Sequence, residues 1–404
     1  MESIASQFSF GRGGLLPQEE MLDVERSKQK LTIGVLKETD PNEGRISLTP
    51  QAVELLVANG YKVYFERGAG DRANFSTQHY SEAGAMIFDT KQEVCQADIL
   101  LKVAPFNDED IKLVRERQTL ISSFIINDEA KKNVQSLIDK KVTAIGFEYM
   151  RDLEGNYPVN DSMQEIAGSM SIITAANYLS DSKYGKGGLL GSVTGVTPAE
   201  VVILGANTAG EFAARAAIGL GAHVKIFDAY LQRLIAIQNA IGQRLYTSNF
   251  QTLVLKKAFS TAEVVIGAMQ LIEDDTNFYV SEDMIKLMKP GSVIIDLSID
   301  QGGCFETSRC TTHKNPVYIK HGVTHYCVPN ITSRAAHTSS IALSNIVVPI
   351  LLKMGECGVF YNFLRNDYAV CQGVYIYNGI LTNSYISNKY DLPYKDIELL
   401  MAAF

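Results

Sequence analysis

The 404-residue chain lacks the patterns of several large classes of protein. Its six cysteines are scattered without a Cys-x-x-Cys pair, which predicts reduced thiols rather than a zinc site or a disulfide framework. It has no Lys/Arg cluster and a net charge of −8, so we expect no nucleic-acid partner. No apolar run reaches the ~18 residues of a membrane helix, and the N-terminus has no signal-peptide pattern. These absences predict a cytoplasmic protein with no membrane partner and no metal site.

The stretch from Val201 to Asp228 carries the clearest pattern in the chain. An apolar strand is followed by a glycine turn, an Ala-rich helix and a second strand that ends at Asp228. This order is that of a dinucleotide-binding βαβ unit, in which a helix N-terminus faces the pyrophosphate and an acidic residue binds the ribose. In the fingerprint Gly205–Gly210, Asn207 replaces the middle glycine. Because asparagine tolerates a left-handed backbone, we expect the turn to be retained.

The remaining sequence alternates apolar strands with helical patterns, which predicts an α/β protein. Long helical patterns at residues 162–179 and 339–352 would carry the chain from one unit to the other and back. We therefore expect two Rossmann-like domains with parallel sheets, joined by long crossing helices, with the active site in the cleft between them. The predicted limits are an N-terminal extension at 1–30, a substrate domain at 31–160 and 340–404, and a nucleotide domain at 161–339.

Four polar residues fall at strand ends or in the adjoining loops, where open α/β sheets place their ligands. The fork of Arg45 matches the geometry of a carboxylate. Lys102 interrupts an apolar strand, so it either has a carboxylate partner or faces a site. Asp300 and Asn330 follow later strands, although such residues also cap turns. In the loop after Asn330, His337 is the one histidine whose position fits an acid/base role.

Several segments resemble the alanine dehydrogenase family, which is related to the α subunit of nicotinamide nucleotide transhydrogenase. The resemblance covers roughly residues 31–352. It includes EGRISLTP at Glu43–Pro50, DILLKV at Asp98–Val103 and EIAG at Glu165–Gly168. The most specific segment is DQGGC at Asp300–Cys304. Together these motifs are specific for the family.

This resemblance implies a reversible, NAD-dependent oxidative deamination of L-alanine to pyruvate and ammonia. Arg45 and Lys102 would hold the substrate, and Lys102 and Asp300 would be catalytic. An acidic residue at the ribose favours NAD over NADP. The family also implies a homo-oligomer. The residues expected to bind the cofactor are Gly205, Asn207, Gly210, Asp228, Arg233, Ser248, Asp300, Arg309, Val328 and Asn330.

Three departures from the family pattern concern the site itself. The position of the family's catalytic histidine is Ile125, Asn207 replaces a glycine, and Gln164 replaces a serine near the expected pyrophosphate. General acid/base catalysis contributes ~10²–10⁴-fold, so Asp300, Lys102 or a water would have to transfer protons instead. Two alternatives stay open: the same fold acting on another keto or imino acid, and a nucleotide-binding homologue without catalysis.

Overall fold

The computed structural model describes residues 31–125, 130–152, 154–270, 280–356, 364 and 368–402. These residues form two sheets, of eight and seven strands. The strands of the first sheet are β1 Thr32–Val35, β2 Lys62–Glu66, β3 Met86–Phe88, β4 Ile99–Leu101, β5 Thr119–Ser122, β6 Thr143–Gly146, β14 Val374–Tyr377 and β15 Ile380–Leu381. Those of the second are β7 Glu200–Leu204, β8 His223–Phe227, β9 Tyr246–Ser248, β10 Val264–Gly267, β11 Val293–Asp296, β12 Val317–Lys320 and β13 Val323–Tyr326.

Helices connect the strands in both halves of the chain. In the described residues they are α1 Pro50–Ala58, α2 Thr77–Glu82, α3 Lys91–Val94, α4 Asp108–Leu113, α5 Ala130–Asp139, α6 Pro158–Ser180, α7 Thr208–Gly219, α8 Leu231–Ile241, α9 Thr252–Thr261, α10 Glu282–Ile285, α11 Ala336–Glu356, α12 Tyr368–Cys371, α13 Ser384–Tyr390 and α14 Ile397–Ala402. Thr49 caps α1 through its side chain, with Pro50 in the first turn, as the sequence predicts.

The apolar strands are continuous in sequence because both faces of each sheet are buried. In β7, Val201 and Ile203 pack into one core, whereas Val202 and Leu204 pack into the core on the opposite face. The strand order is β15-β14-β6-β5-β4-β1-β2-β3 in the first sheet and β12-β13-β11-β10-β7-β8-β9 in the second. The predicted α/β class with two Rossmann-like halves is confirmed, while the predicted domain limits stay a prediction.

The sheets differ from the prediction of purely parallel strands at one edge each. Strand β14 pairs antiparallel with both β6 and β15, and β12 pairs antiparallel with β13. The pairs β14–β15 and β12–β13 are each joined by a two-residue turn, Asn378-Gly379 or His321-Gly322, in which both residues have positive φ. Such turns connect antiparallel strands because their twist matches that of a hairpin. Asn-Gly was therefore a hairpin signal in the sequence.

Two long helices, α6 and α11, link the two halves. A Cβ atom added to Gly168 in α6 would lie 2.2 Å from the carbonyl oxygen of Ala209, so glycine allows α6 to pack closely on α7. The segment Ile331–Gly355, which includes α11, is long and apolar enough to cross a membrane by length and composition. However, Leu343, Val347 and Leu351 of this helix are buried in the core beside the first sheet. We therefore interpret α11 as a core helix.

Candidate functional site

The loop after β1 contacts the second half of the chain through Glu43. One oxygen, Oε1, accepts hydrogen bonds from the backbone N–H and Nε of Arg45, at 2.9 and 2.8 Å. The other, Oε2, accepts from Nη2 of Arg45 at 2.6 Å and from Nδ2 of Asn330 at 2.9 Å. Burial raises the pKa of Glu43, but Arg45 and Asn330 outweigh it and leave that pKa lowered. This ionised carboxylate joins two residues that the sequence placed in the site.

Arg45 is therefore already engaged by a carboxylate of its own chain. Of the nitrogens in its fork, Nε and Nη2 bind Glu43, whereas Nη1 lies 3.4 Å from the sulfur of Met163. Nη1 is the nitrogen that remains for an external carboxylate. Arg45 contributes to a small cleft lined by Lys37, Glu38, Glu43, Gly44, Arg45, Gly68, Ala69 and Arg72.

Lys102 follows β4 and is only 2% exposed. Its ammonium donates to Oδ2 of Asp110 at 2.6 Å, and the carbonyl oxygen of Pro105 lies at 3.4 Å. Oδ1 of Asp110 accepts from Lys91 at 2.5 Å. Glu38 is the second acidic neighbour of Lys102, at 3.8 Å. Of the two possibilities that the sequence left open for Lys102, the structure shows the carboxylate partner. Lys102 also lies at the end of β4, the strand next to β1.

The turn after β7 has the backbone of a dinucleotide-binding loop. Gly205 has φ +109°, and an added Cβ would lie 2.4 Å from the carbonyl oxygen of Ala268. An added Cβ at Gly210 would lie 2.0 Å from the carbonyl oxygen of Gly205. Both glycines are required by close backbone approach, as the fingerprint predicts.

Asn207 does not use the left-handed conformation that asparagine tolerates. Its φ and ψ are −100° and −173°, and it is the N-cap of α7. Its Oδ1 accepts from the N–H of Gly210 at 3.0 Å, and its Nδ2 donates to the carbonyl oxygen of Ala268 at 2.7 Å. An N-cap requires an extended backbone, and this requirement overrides the tolerance of asparagine for positive φ. The side chain occupies a helix N-terminus that commonly binds a phosphate.

Asp228 stands at the end of β8, close to this turn. It is buried, and its two oxygens accept from the backbone N–H groups of Ala206 and Tyr230, each at 2.8 Å. Nη1 of Arg233 lies 4.0 Å from Oδ2 of Asp228, and Ser248 is the last residue of the neighbouring strand β9. The structure thus brings Asp228, Arg233 and Ser248 to one edge of the second sheet.

The Asp300 loop differs from the predicted strand end. Strand β11 ends at Asp296, and Asp300 lies four residues later in a 3-10 turn. Asp296 is fully buried and accepts hydrogen bonds from the backbone of Ser298 and Cys304 and from the hydroxyl of Ser308. These bonds stop the strand early and leave Asp300 on the surface of the loop. Desolvation by the surrounding protein raises the pKa of Asp300.

The other predicted cofactor residues lie on the loops around this turn. Arg309 stacks its guanidinium over the ring of Tyr318 at 4.1 Å, and Val328 is buried after β13. Asn330 contacts the loop after β1, as described for Glu43. His337 instead bonds the carbonyl oxygen of Ala73 and stacks on the ring of Phe75, so its side chain is directed to the turn at Ala73–Phe75.

The residues that the sequence reasoning missed are carboxylates that accompany the cations: Glu38, Glu43 and Asp110. The sequence contained an indication of Glu43, because this residue lies two positions before Arg45 in a polar loop. Asp110 lies eight residues after Lys102, and α4 carries it back to the buried ammonium. Glu38 lies three residues after the end of β1 and shares the cleft with Arg45.

The second half fits a dinucleotide in most respects. The required glycines are Gly205 and Gly210, and Asp228 ends the following strand at the position that binds a ribose. The exception is Asn207, which fills the helix N-terminus that the pyrophosphate would use. The fold and this site define a two-domain protein with a Rossmann-type nucleotide fold opposite a cleft that holds Arg45.

Comparisons with known proteins agree with this class. Residues 34–167 match the model "Alanine dehydrogenase/PNT, N-terminal domain", and residues 171–384 match "Alanine dehydrogenase/PNT, C-terminal domain". The alanine dehydrogenase of Methanococcus maripaludis is 39% identical over 370 residues, which cover 91% of this chain and 99% of that protein. That of Mycolicibacterium smegmatis is 35% identical over 373 residues, covering 92% and 100%. The chain belongs to the alanine dehydrogenase/PNT family.

Solved structures lead to the same family. An L-alanine dehydrogenase aligns with a TM-score of 0.84 at 32% identity, over 89% of this chain and 99% of that one. A transhydrogenase from Sinorhizobium meliloti aligns with a TM-score of 0.73 at 23% identity, over 88% and 99%, which supports the fold alone. The resemblance and the dehydrogenase class predicted from the sequence are confirmed.

Proposed function

We propose that this protein catalyses the reversible, NAD-dependent oxidative deamination of L-alanine to pyruvate and ammonia. The proposal rests chiefly on Arg45 and Lys102, which follow adjacent strands of the first sheet. Arg45 keeps Nη1 available for a substrate carboxylate. Lys102 is a buried cation that follows the neighbouring strand β4. This pair matches an anionic 2-keto acid or the carboxylate of an amino acid.

The residues of the second half would hold the cofactor. Gly205, Gly210 and Asp228 would bind the pyrophosphate and ribose, with Arg233, Ser248, Arg309, Val328 and Asn330 around them. When bound, NAD would accept the hydride that leaves the α-carbon of the amino acid. Asp228 disfavours a 2′-phosphate through charge repulsion, so we propose NAD rather than NADP. Asn207 remains in this set, although its side chain must be accommodated or moved.

The first half would bind and orient the substrate. Nη1 of Arg45 would bind the carboxylate, while Glu43 fixes the remainder of the guanidinium. Lys102 would donate a hydrogen bond to the carbonyl oxygen of pyruvate, held in place by Asp110. Asp300 would stand beside the reacting carbon on the loop from the second half. Such orientation accelerates a reaction because the entropy of positioning is lost on binding.

A second candidate is the same chemistry on a different keto or imino acid. Ile125, at the position of the family's histidine, follows β5 and is 57% exposed. An apolar side chain there favours a substrate with an apolar group larger than methyl.

Absorbance at the NADH band provides the test. We expect NADH oxidation with pyruvate and ammonium, and none with pyruvate alone. A panel of longer 2-keto acids under the same conditions decides the substrate. If ammonium-dependent NADH oxidation is faster with a longer 2-keto acid, the amino acid that corresponds to it would replace alanine as the proposed substrate. No turnover with any acid would refute the dehydrogenase proposal.

We also propose a cytoplasmic homo-oligomer. The helix α6 and the loop after it expose four apolar side chains by 51–67%, namely Ile173, Leu189, Val193 and Val196. Exposed apolar groups of this size favour association with another chain. Cys95, Cys304, Cys310 and Cys327 form no disulfide within the described part of the chain, which suits a reducing compartment. Light scattering on the purified chain tests the oligomer, and a monomer at micromolar concentration would contradict it.

A further inference from the structure

Glu38 is a carboxylic acid in the substrate cleft for which the mechanism above has no role. It lines the same cleft as Glu43 and Arg45 and is only 6% exposed. Its Oε1 accepts from the backbone N–H of Val103 at 2.6 Å. Its Oε2 is buried without a hydrogen-bond partner and lies 3.8 Å from the ammonium of Lys102.

An oxygen left unpartnered in a buried site is costly, so its retention needs a reason. Lys102 does not satisfy this oxygen, because its ammonium lies 3.8 Å away, beyond hydrogen-bond distance, and its nearest carboxylate is that of Asp110 at 2.6 Å. The charged groups that face Glu38 are Lys102 and Glu43, with Arg45 interacting at longer range. Burial raises the pKa of Glu38 to about 7, against the opposing effect of Lys102. Both protonation states are therefore populated near neutral pH, as a general acid/base requires.

We propose that Glu38 exchanges the proton of the reaction, in place of the histidine whose family position is Ile125. The inference rests on the proposed function. It also explains why an apolar residue is tolerated at position 125, since the proton-transfer group stands on the loop after β1 instead.

The step balances in the direction of deamination. Alanine first loses one ammonium proton to solvent and its α-hydrogen as the hydride that NAD would accept, which leaves an iminium. Water attacks the iminium carbon; a C–O bond forms, and the C=N π pair moves to nitrogen. Ionised Glu38 takes the proton of that water at Oε2. The protonated Glu38 then gives this proton to the amine nitrogen. As the C–N bond breaks with its electron pair on ammonia, the hydroxyl proton returns to Glu38 and C=O forms. One proton remains on Glu38 and leaves to solvent.

Other titratable groups fit this role less well. Lys102 is bound to Asp110, and His337 is bound to Ala73 and stacked on Phe75. Asp300 belongs to the other half of the chain and does not line the cleft of Arg45. Glu38 alone combines the cleft, the burial and the unpartnered oxygen among the described residues.

Glu148 provides a matched control. It is a second buried glutamate, its Oε1 accepts from the backbone N–H of Phe124, and its Oε2 also lacks a partner. Burial raises the pKa of Glu148 to about 7 as well. It does not line the cleft of Arg45. Its bond to Phe124 places Glu148 next to position 125, so Glu148→Gln tests whether a buried acid at that position, rather than Glu38, carries the pH dependence.

The experiment compares the wild type with Glu38→Gln, Glu38→Asp and Glu148→Gln in the direction of alanine oxidation. For the wild type, kcat/KM should rise with pH through about 7, because the ionised form is the base. Glu38→Gln should lose this dependence and ~10²–10⁴-fold in kcat, with the NADH dissociation constant from fluorescence unchanged. Glu148→Gln should keep the wild-type pH profile.

Retention of the pH dependence in Glu38→Gln, or its loss in Glu148→Gln, would overturn the proposal. If Glu38→Gln does not fold, Glu38→Asp provides the test. A shift in the pH at which kcat/KM rises, with intermediate activity, supports the proposal, and an unchanged pH refutes it. Infrared difference spectra of the cofactor-free protein add a readout without turnover, since the carboxylic acid band that titrates near neutrality should shrink in Glu38→Gln. A wild type without ammonium-dependent turnover would refute the proposed function, whereas an active and pH-sensitive Glu38→Gln would refute only this inference.

Discussion

Asp110 is predicted to hold the substrate half together by neutralising a buried ammonium. It is 0% exposed, contacts Lys102 at 2.6 Å and Lys91 at 2.5 Å, and Lys102 is itself 2% exposed. In Asp110→Ala, Lys102 would keep only Glu38 at 3.8 Å as an acidic neighbour within salt-bridge distance. Removing one partner of a buried pair costs ~3–5 kcal/mol, because the remaining charge stays desolvated.

Urea denaturation followed by circular dichroism measures this loss, and the chain has no tryptophan to serve as a fluorescence probe. The matched control is Asp108→Ala, which removes an exposed carboxylate from the same helix and breaks its pair with Lys132. An exposed pair contributes ~0–1 kcal/mol. Adding Lys102→Met to Asp110→Ala should restore stability, since the unpaired charge disappears. Equal losses in Asp110→Ala and Asp108→Ala would refute the reasoning.

The same pair also predicts the direction in which the unfolding free energy changes with pH. Burial raises the pKa of Asp110, but Lys102 and Lys91 outweigh it and leave that pKa lowered. The group therefore stabilises the fold above the unfolded carboxyl pKa near 3.8, and this contribution is lost as the pH falls through the lower folded value. The difference in unfolding free energy between wild type and Asp110→Ala should shrink in acid. A constant difference would mean that the charge of Asp110 is irrelevant.

Three further substitutions test the cofactor and substrate sites. Asn207→Gly frees the N–H of Gly210 for a phosphate, so NADH should bind about five-fold tighter by fluorescence titration, and weaker binding would contradict the interpretation. Arg45→Lys removes the fork that binds Glu43 and substrate together; the KM for alanine should rise ~10–100-fold with the NADH dissociation constant unchanged, and an unaltered KM would exclude Arg45 from the substrate site. Ile125→His places a second acid/base group at an exposed position, and kcat should rise up to ~10²-fold; no change would show that the histidine position does not limit turnover.

The fold was predictable because its signals are local. Continuous apolar strands followed by helices define two α/β sheets, and β7 shows why, with alternate residues buried on opposite faces. The antiparallel pair β14–β15 was missed because Asn378-Gly379 was not interpreted as a hairpin turn, whereas the antiparallel pairing of β14 with β6 joins distant parts of the chain and has no local signal. The tolerance of asparagine for positive φ proved irrelevant at Asn207, because a helix N-cap requires an extended residue there.

In the first half of the chain, the candidate site was predictable in its cations and not in the carboxylates that accompany them. Arg45 and Lys102 attract attention because one stands in a polar loop and the other in an apolar strand. Their partners depend on tertiary contacts: Glu43 meets Asn330 across 287 positions of the chain, and Asp110 reaches Lys102 only because α4 folds back on the strand. No periodicity encodes such pairs, so the sequence predicted the chemistry of the site without its charge balance.

That charge balance connects the two directions of the proposed reaction. Arg45, Lys102 and Lys91 carry three positive charges, and Glu43 and Asp110 carry two negative charges, so the network is +1 when Glu38 is neutral and 0 when it is ionised. Pyruvate is an anion and favours the +1 state, in which Glu38 holds the proton that amination consumes. Alanine is a zwitterion without net charge and is compatible with ionised Glu38, the base that deamination requires. The same carboxyl group would thus begin each direction in the protonation state that the substrate's own charge selects.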